Sequence, residues 1–289
     1  MKCPKCKSQS TVRHGFVKRR VGLTRRHLCK ACGYKFIRDD GFKRYRHNSK
    51  VITAALDLRA KGLSLADVVD HLDQHYAVKV SRTTILNWQN KFGKKLKSFV
   101  QTLIPFLGEV FHADEMFYKV GKEWKFYWDC IDYKTKFMVA DHVSEERNDA
   151  EAVTFLNKIK KGSPEIPREI HTDCSYDYPP AFRKVFPRKK IHRQYPAWKR
   201  RFKNNSIERL HNTIKQRYKT FRGFDNIETS EKFFDFYKVY YNYLRKHTTL
   251  GFITPAKAAK IDLNLKRNRF KSLIERYWTY LSITKLSFS

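Results

Sequence analysis

The chain has 289 residues, of which 61 are Lys or Arg and 28 are Asp or Glu, giving a formal net charge of +33, with 41% hydrophobic and 15% aromatic residues. Its length suits about two domains of ~100–200 residues each, and its apolar content excludes wholesale disorder. So much positive charge calls for a polyanionic partner, since neutralising phosphates releases counterions. No charge-free apolar run reaches the ~18 residues of a membrane span and no signal segment is visible, so the expected location is the cytoplasm, on nucleic acid.

Residues 1–45 open with Cys3-Pro4-Lys5-Cys6 and Cys29-Lys30-Ala31-Cys32, two knuckles separated by 22 residues. In a chain with no export signal this spacing favours metal over disulfides. Four thiolates suit tetrahedral zinc, which would staple a module too small to fold on its own core. The knuckles predict a four-cysteine zinc ribbon. Its basic surface is either a phosphate contact or simply solvated.

Residues 46–100 carry helical periodicity. Val51, Ile52, Ala55, Leu56 and Leu58 share one face, and Gly62 closes that helix. Ser64 with Asp67 has capping-box spacing, and Ser81 opens a third helix through Ile85, Leu86, Trp88 and Phe92. The pattern predicts a helix-turn-helix with Arg82, Thr83, Asn87 and Lys91 facing DNA and with Leu86 and Trp88 in the core.

Over residues 101–262 the period changes. Segments 109–120, 124–132 and 137–142 read as strands. A helix over 148–160, a strand ending at Asp173, a short helix over 179–185 and a helix over 204–218 follow. The last of these places Glu208, His211, Asn212 and Lys215 on one face. A further helix covers 230–245, and residues 263–289 form a basic helical tail. The order predicts a mixed α/β sheet flanked by helices.

Between Arg183 and Arg222 there are fifteen Lys or Arg and one carboxylate, Glu208, which follows Asp173 after 34 intervening residues. Asp114 ends the first strand-like run. Carboxylates from two strand ends and a helix can hold two Mg²⁺ ions (or Mn²⁺) beside phosphates. Asp114, Asp173 and Glu208 are therefore the expected catalytic metal ligands, and Lys215 the expected phosphate contact. Taken singly, each acid also reads as a turn cap or a surface residue. Strand alternation places Glu115 on the opposite face from Asp114. Asp129 and Asp132 on the neighbouring strand stay open as rivals, whereas Cys130 and Cys174 fit buried sheet positions.

These residues resemble the DDE transposases and retroviral-type integrases. The run Asn204-Asn205-Ser206-Ile207-Glu208-Arg209-Leu210-His211, then Ile214-Lys215 and Phe221-Arg222-Gly223-Phe224, is similar to the glutamate helix of insertion-sequence transposases. Tyr241-Asn242-Tyr243-Leu244-Arg245-Lys246-His247, then Leu250-Gly251 and Thr254-Pro255-Ala256, resembles the segment that follows it. The 34-residue spacing and the zinc-ribbon front end are similar to the insertion-sequence six family and its archaeal relatives. The resemblance spans roughly residues 1–260, and the tail departs from it. It implies a ribonuclease-H-like core that cleaves DNA and transfers a 3′-hydroxyl strand, acting on terminal inverted repeats and target DNA. It further implies a homodimer or larger synaptic complex in a prokaryotic cytoplasm. The rival readings are a catalytically silent, transposase-derived DNA-binding protein and a tyrosine recombinase built on Arg245 and His247.

Overall fold

The structure, a computed structural model, describes residues 1–284 except 20, 44, 188–190, 197–204 and 222, with residue 205 described by its backbone alone. The expected helix start at Asn204, part of the basic stretch 183–222, Arg222 and the last residues of the tail lie outside the described residues.

A three-stranded antiparallel sheet comes first, with β1 (Thr11–Arg19), β2 (Gly22–Cys29) and β3 (Lys35–Ile37) in that order. Cys3, Cys29 and Phe36 form its small core, against which Cys32 packs. Three helices follow: α1 (Ser49–Ala60), α2 (Leu65–Tyr76) and α3 (Arg82–Val100). The expected capping box is present, since Ser64 Oγ accepts from Asp67 N–H and the Asp67 carboxylate accepts from Ser64 N–H. Ser81 caps α3 by accepting from Thr84 N–H. Trp88 is buried as expected. Leu86 is not, because its side of α3 faces outward beside Arg82 and Asn90 rather than toward α1.

The second sheet has five strands. They are β4 (Val110–Val120), β5 (Glu123–Asp132), β6 (Met138–Ser144), β7 (Glu169–Thr172) and β8 (His192–Gln194). The spatial order is β6-β5-β4-β7-β8. β4, β5 and β6 form an antiparallel meander, whereas β7 and β8 run parallel to β4. Parallel neighbours need crossovers, which α4 (Asp149–Gly162) and α5 (Tyr178–Val185) supply. The mixed sheet flanked by helices is therefore present.

On the other side lie α6 (Asn205–Tyr218) and α7 (Ile227–Val239), and α7 continues into a π turn at Tyr240–Leu244. A short helix α8 (Pro255–Ala258) precedes α9 (Arg269–Thr284). One apolar core runs from Phe42 through the helices and the sheet to Tyr277. α3 packs closely on α7 because Gly93 has no side chain; a Cβ there would lie 3.2 Å from Phe236 Cβ. α9 joins the same core: Phe270 stacks on Phe236, and Asn268 Nδ2 donates to Thr53 Oγ1 at 2.8 Å. No helix among the described residues is long and apolar enough to cross a membrane.

Candidate active site

β4 pairs with β7 only from Val110 to His112, and among the described residues no strand lies beside that edge of β4 from Ala113 until Phe224 bridges Val120. Asp114 sits just past this opening, and Asp173 immediately follows the last residue of β7. Oxygens of Asp114, Glu115 and Asp173 lie within 4.8 Å of one another. Asp114 and Asp173 therefore meet, and the structure adds Glu115. Alternation does send Asp114 and Glu115 to opposite faces. However, the end of β7 leaves a gap through which the longer Glu115 side chain reaches round to its neighbours.

This cluster is nearly closed to water, with the Asp114, Glu115 and Asp173 side chains 9%, 6% and 20% exposed. Burial, reinforced by the charge of Asp114, pushes the Glu115 carboxyl up to about 7. Tyr178 Oη donates to Glu115 Oε2 at 2.6 Å. Arg147 stands among the acids, with Nη2 2.5 Å from Glu115 Oε1 and 3.7 Å from Asp173 Oδ2. Its Nε is 3.5 Å from Asp177 Oδ2. Like charges crowded into a dry site need a cation, and here Arg147 supplies one. Neither Arg147 nor Tyr178 was found from the sequence, because each is an ordinary residue until the fold delivers it. Hard carboxylate oxygens at this spacing suit Mg²⁺ or Mn²⁺, and among the described residues Asp114, Glu115 and Asp173 are the acids placed to offer them.

Glu208 is not part of that group. It lies on α6 one turn before His211, whose Nδ1 is 3.9 Å from Asp114 Oδ2 and whose Nε2 is 2.7 Å from Asp129 Oδ1. Lys215, one turn beyond His211, places Nζ 5.5 Å from the Phe117 ring centroid. The expected face of α6 is thus turned to β4 at His211 and Lys215, while Asn212 is exposed.

Asp129, which pairs across the strands with Asp114, is fully buried and tied to His211. Burial pushes its carboxyl up, against the pull of His211. Burial also opposes charge on His211, but Asp129 and Asp114 outweigh it and raise the imidazole above its ordinary value. Asp132 caps the β5–β6 turn, accepting from Thr135 N–H at 2.9 Å. Neither rival acid enters the cluster. Cys130 is buried as expected, but Cys174 is exposed because β7 has already ended.

At the other end, the four expected cysteines converge: Cys3 Sγ is 3.7 Å from Cys32 Sγ, and Cys6 Sγ is 3.5 Å from Cys29 Sγ. Disulfide sulfurs would lie ~2.05 Å apart. Four sulfurs at ~2.3 Å from a tetrahedral zinc would lie roughly 3.8 Å apart, so the set fits that ion. Matching backbone turns present the pairs, since Lys7 N–H donates to Cys3 O and Gly33 N–H donates to Cys29 O. Lys7 and Gly33 both adopt positive φ.

The model of a DDE domain matches residues 108–247, the segment that holds the acidic cluster. Residues 108–247 of this chain are a DDE domain. The DDE domain's sheet, β4 to β8, and its helices α4 to α7 lie within those bounds. An uncharacterised protein of Methanocaldococcus jannaschii is 27% identical over 200 residues, covering 66% of this chain and 82% of its own length. The integrase catalytic core of HTLV-2, solved in complex with magnesium, is similar at 17% identity and TM-score 0.40, covering 54% of this chain and 98% of that one. The BIV integrase core is similar at 12% identity and TM-score 0.39, covering 53% and 94%.

Proposed function

We propose that the protein is an insertion-sequence transposase that binds terminal inverted repeats, cleaves at their ends and joins the 3′-hydroxyl to target DNA. The observation that carries this is the meeting of Asp114, which lies within β4 rather than at its end, with Asp173, just past the end of β7, inside a DDE domain. Asp114 and Asp173 would hold the divalent metal, with Glu115 beside them. Glu208 is the third ligand of the proposal, carried on the helix that already touches Asp114 through His211. The metal supplies charge stabilisation and lowers the pKa of an attacking water or hydroxyl. The chain's own part is to hold the carboxylates dry and aligned, while Lys215 binds a phosphate oxygen. Such a core is of the ribonuclease-H-like kind.

In the same proposal residues 1–45 are a zinc ribbon and residues 46–100 a helix-turn-helix, leaving 101–262 as the catalytic domain and 263–289 as the tail. Arg82, Thr83, Asn87 and Lys91 are all exposed on α3, as groove contacts must be. The protein would act as a homodimer or larger synaptic complex on DNA in a prokaryotic cytoplasm. The second reading, a silent DNA-binding descendant, is disfavoured because the acids and their dry setting are kept.

A strand-transfer assay with purified protein, terminal-repeat duplex and Mg²⁺ or Mn²⁺ tests the proposal. Joined product should form, and Asp114→Ala or Asp173→Ala should reduce it at least about 100-fold with repeat binding kept. Glu208→Gln should act likewise. If Glu115→Gln abolishes joining while Glu208→Gln does not, the third ligand is Glu115. No joined product under any condition leaves the silent DNA-binding reading.

A further inference from the structure

Beyond the acidic cluster, the same face of the β4–β5 hairpin carries Phe117 and Trp124, both 56% exposed. Their rings meet edge to face, with centroids 5.6 Å apart at 87°. Lys119 Nζ lies 5.4 Å from the Trp124 centroid, and Lys215 Nζ lies 5.5 Å from that of Phe117. Lys125 nearby is neutralised by Glu123 and Glu145 at 2.7 and 3.5 Å. By contrast, Lys119, Lys122 and Lys215 form no ion pair with a described residue.

Two large rings left in water on a sheet face are costly unless something covers them. A purely apolar partner surface would strand these ammonium groups out of water. A nucleic-acid strand fits both features: its bases stack on aromatic faces, and its phosphates pair with lysines. Position narrows the choice further. Phe117 follows Glu115 by two residues on one strand face, about 7 Å along β4. That distance keeps the rings within about one or two nucleotides of the acids. Interior bases of a duplex are stacked on both sides, and a terminal pair offers one face only, so unpaired bases are the occupant that can fill both rings.

We infer that Phe117 and Trp124 form a stacking platform for unpaired bases next to the reacting phosphate, with Lys119 and Lys215 holding the flanking phosphates. The inference rests on the proposed action on DNA ends, since it assigns the strand beside that same cluster. In mechanistic terms, the platform holds open the few base pairs nearest the cut.

Full-length zinc-loaded protein without added Mg²⁺ or Mn²⁺, where no chemistry occurs, is titrated by fluorescence anisotropy with two probes. One is a blunt duplex, and the other is the same duplex ending in five unpaired thymidines. Stacking at ~1–3 kcal/mol per base corresponds to a preference of about tenfold or more for the unpaired end. Phe117→Ala and Trp124→Ala should bring the two probes to near parity, whereas Phe117→Tyr and Trp124→Phe should keep the preference. Lys119→Ala should weaken the unpaired-end probe more than the blunt one. Asp114→Asn should leave the preference intact, so failure of the catalytic reading would not be mistaken for failure of this one. Equal binding of the two probes by the native protein overturns the inference, as does an unchanged preference in the Ala variants. Loss of self-association with preference unchanged would assign the patch to a second copy of the chain instead.

Discussion

Asn242 is buried in the π turn and completes the hydrogen bonding of Met138, a residue of the sheet's outer strand. Met138 N–H donates to Asn242 Oδ1 at 2.8 Å, and Asn242 Nδ2 donates to Met138 O at 3.0 Å. Buried backbone groups left unpaired are expensive, so the Tyr-Asn-Tyr segment has a structural reason for its asparagine. Asn242→Ala should cost about 2–6 kcal/mol, at ~1–3 for each of the two stranded groups, read as a fall in the urea midpoint. An unchanged midpoint would show that water or a neighbour replaces the amide. Glu115 illustrates what residue-scale reading missed. The side to which it points was legible, but the early end of β7 that lets it reach Asp114 was not.

At the scale of elements, the long amphipathic helices and the β4–β6 meander were legible because their periods are repeated several times. β8, three residues held only by parallel pairing to β7, leaves no such pattern. It also places His192 beside the site strand. His192 Nε2 is 2.8 Å from Thr172 Oγ1, and its ring stacks on Phe182 at 3.9 Å. Burial pushes the His192 imidazole down to about 4. Burial and then Arg245 do the same to His247, which also falls to about 4. A folded value below the unfolded ~6.5 means that the neutral form is favoured. The associated stability is present above about pH 6.5 and is lost as pH falls toward 4. Each histidine could contribute at most about 3 kcal/mol, and partial hydration reduces that to about 1–2. Urea midpoints should therefore drop between pH 7 and 4.5. A variant with His192→Gln and His247→Gln should show a shallower drop; parallel curves for the two proteins would contradict this.

For the whole molecule, the front helices, the DDE domain and the tail share one core instead of being beads on a string. Gly62, at φ +96, fits against the backbone of Arg217, where a Cβ would meet Arg217 Cα at 2.9 Å. Arg217 Nη1 donates to Lys61 O, and Thr220 Oγ1 donates to Gly62 O. The turn after α1 is thereby fixed to the end of the helix that carries Glu208. A tail without a recognisable motif supplies α9, whose Lys95–Trp278 and Phe99–Tyr277 contacts brace α3. Such long-range packing has no local signature, so its place could not be read from the chain, whereas the acids and cysteines could because their chemistry restricts residue type.

The proposed chemistry depends on buried carboxylates binding a divalent ion between β4 and the end of β7. The most direct measurement is Mn²⁺ titration of full-length protein that retains zinc but is free of Mg²⁺ and Mn²⁺, followed by the electron paramagnetic resonance signal of the free ion. The native protein should take up Mn²⁺, and Asp114→Asn and Asp173→Asn should each weaken uptake at least about tenfold without altering zinc content. Undiminished Mn²⁺ binding in those two variants would contradict it.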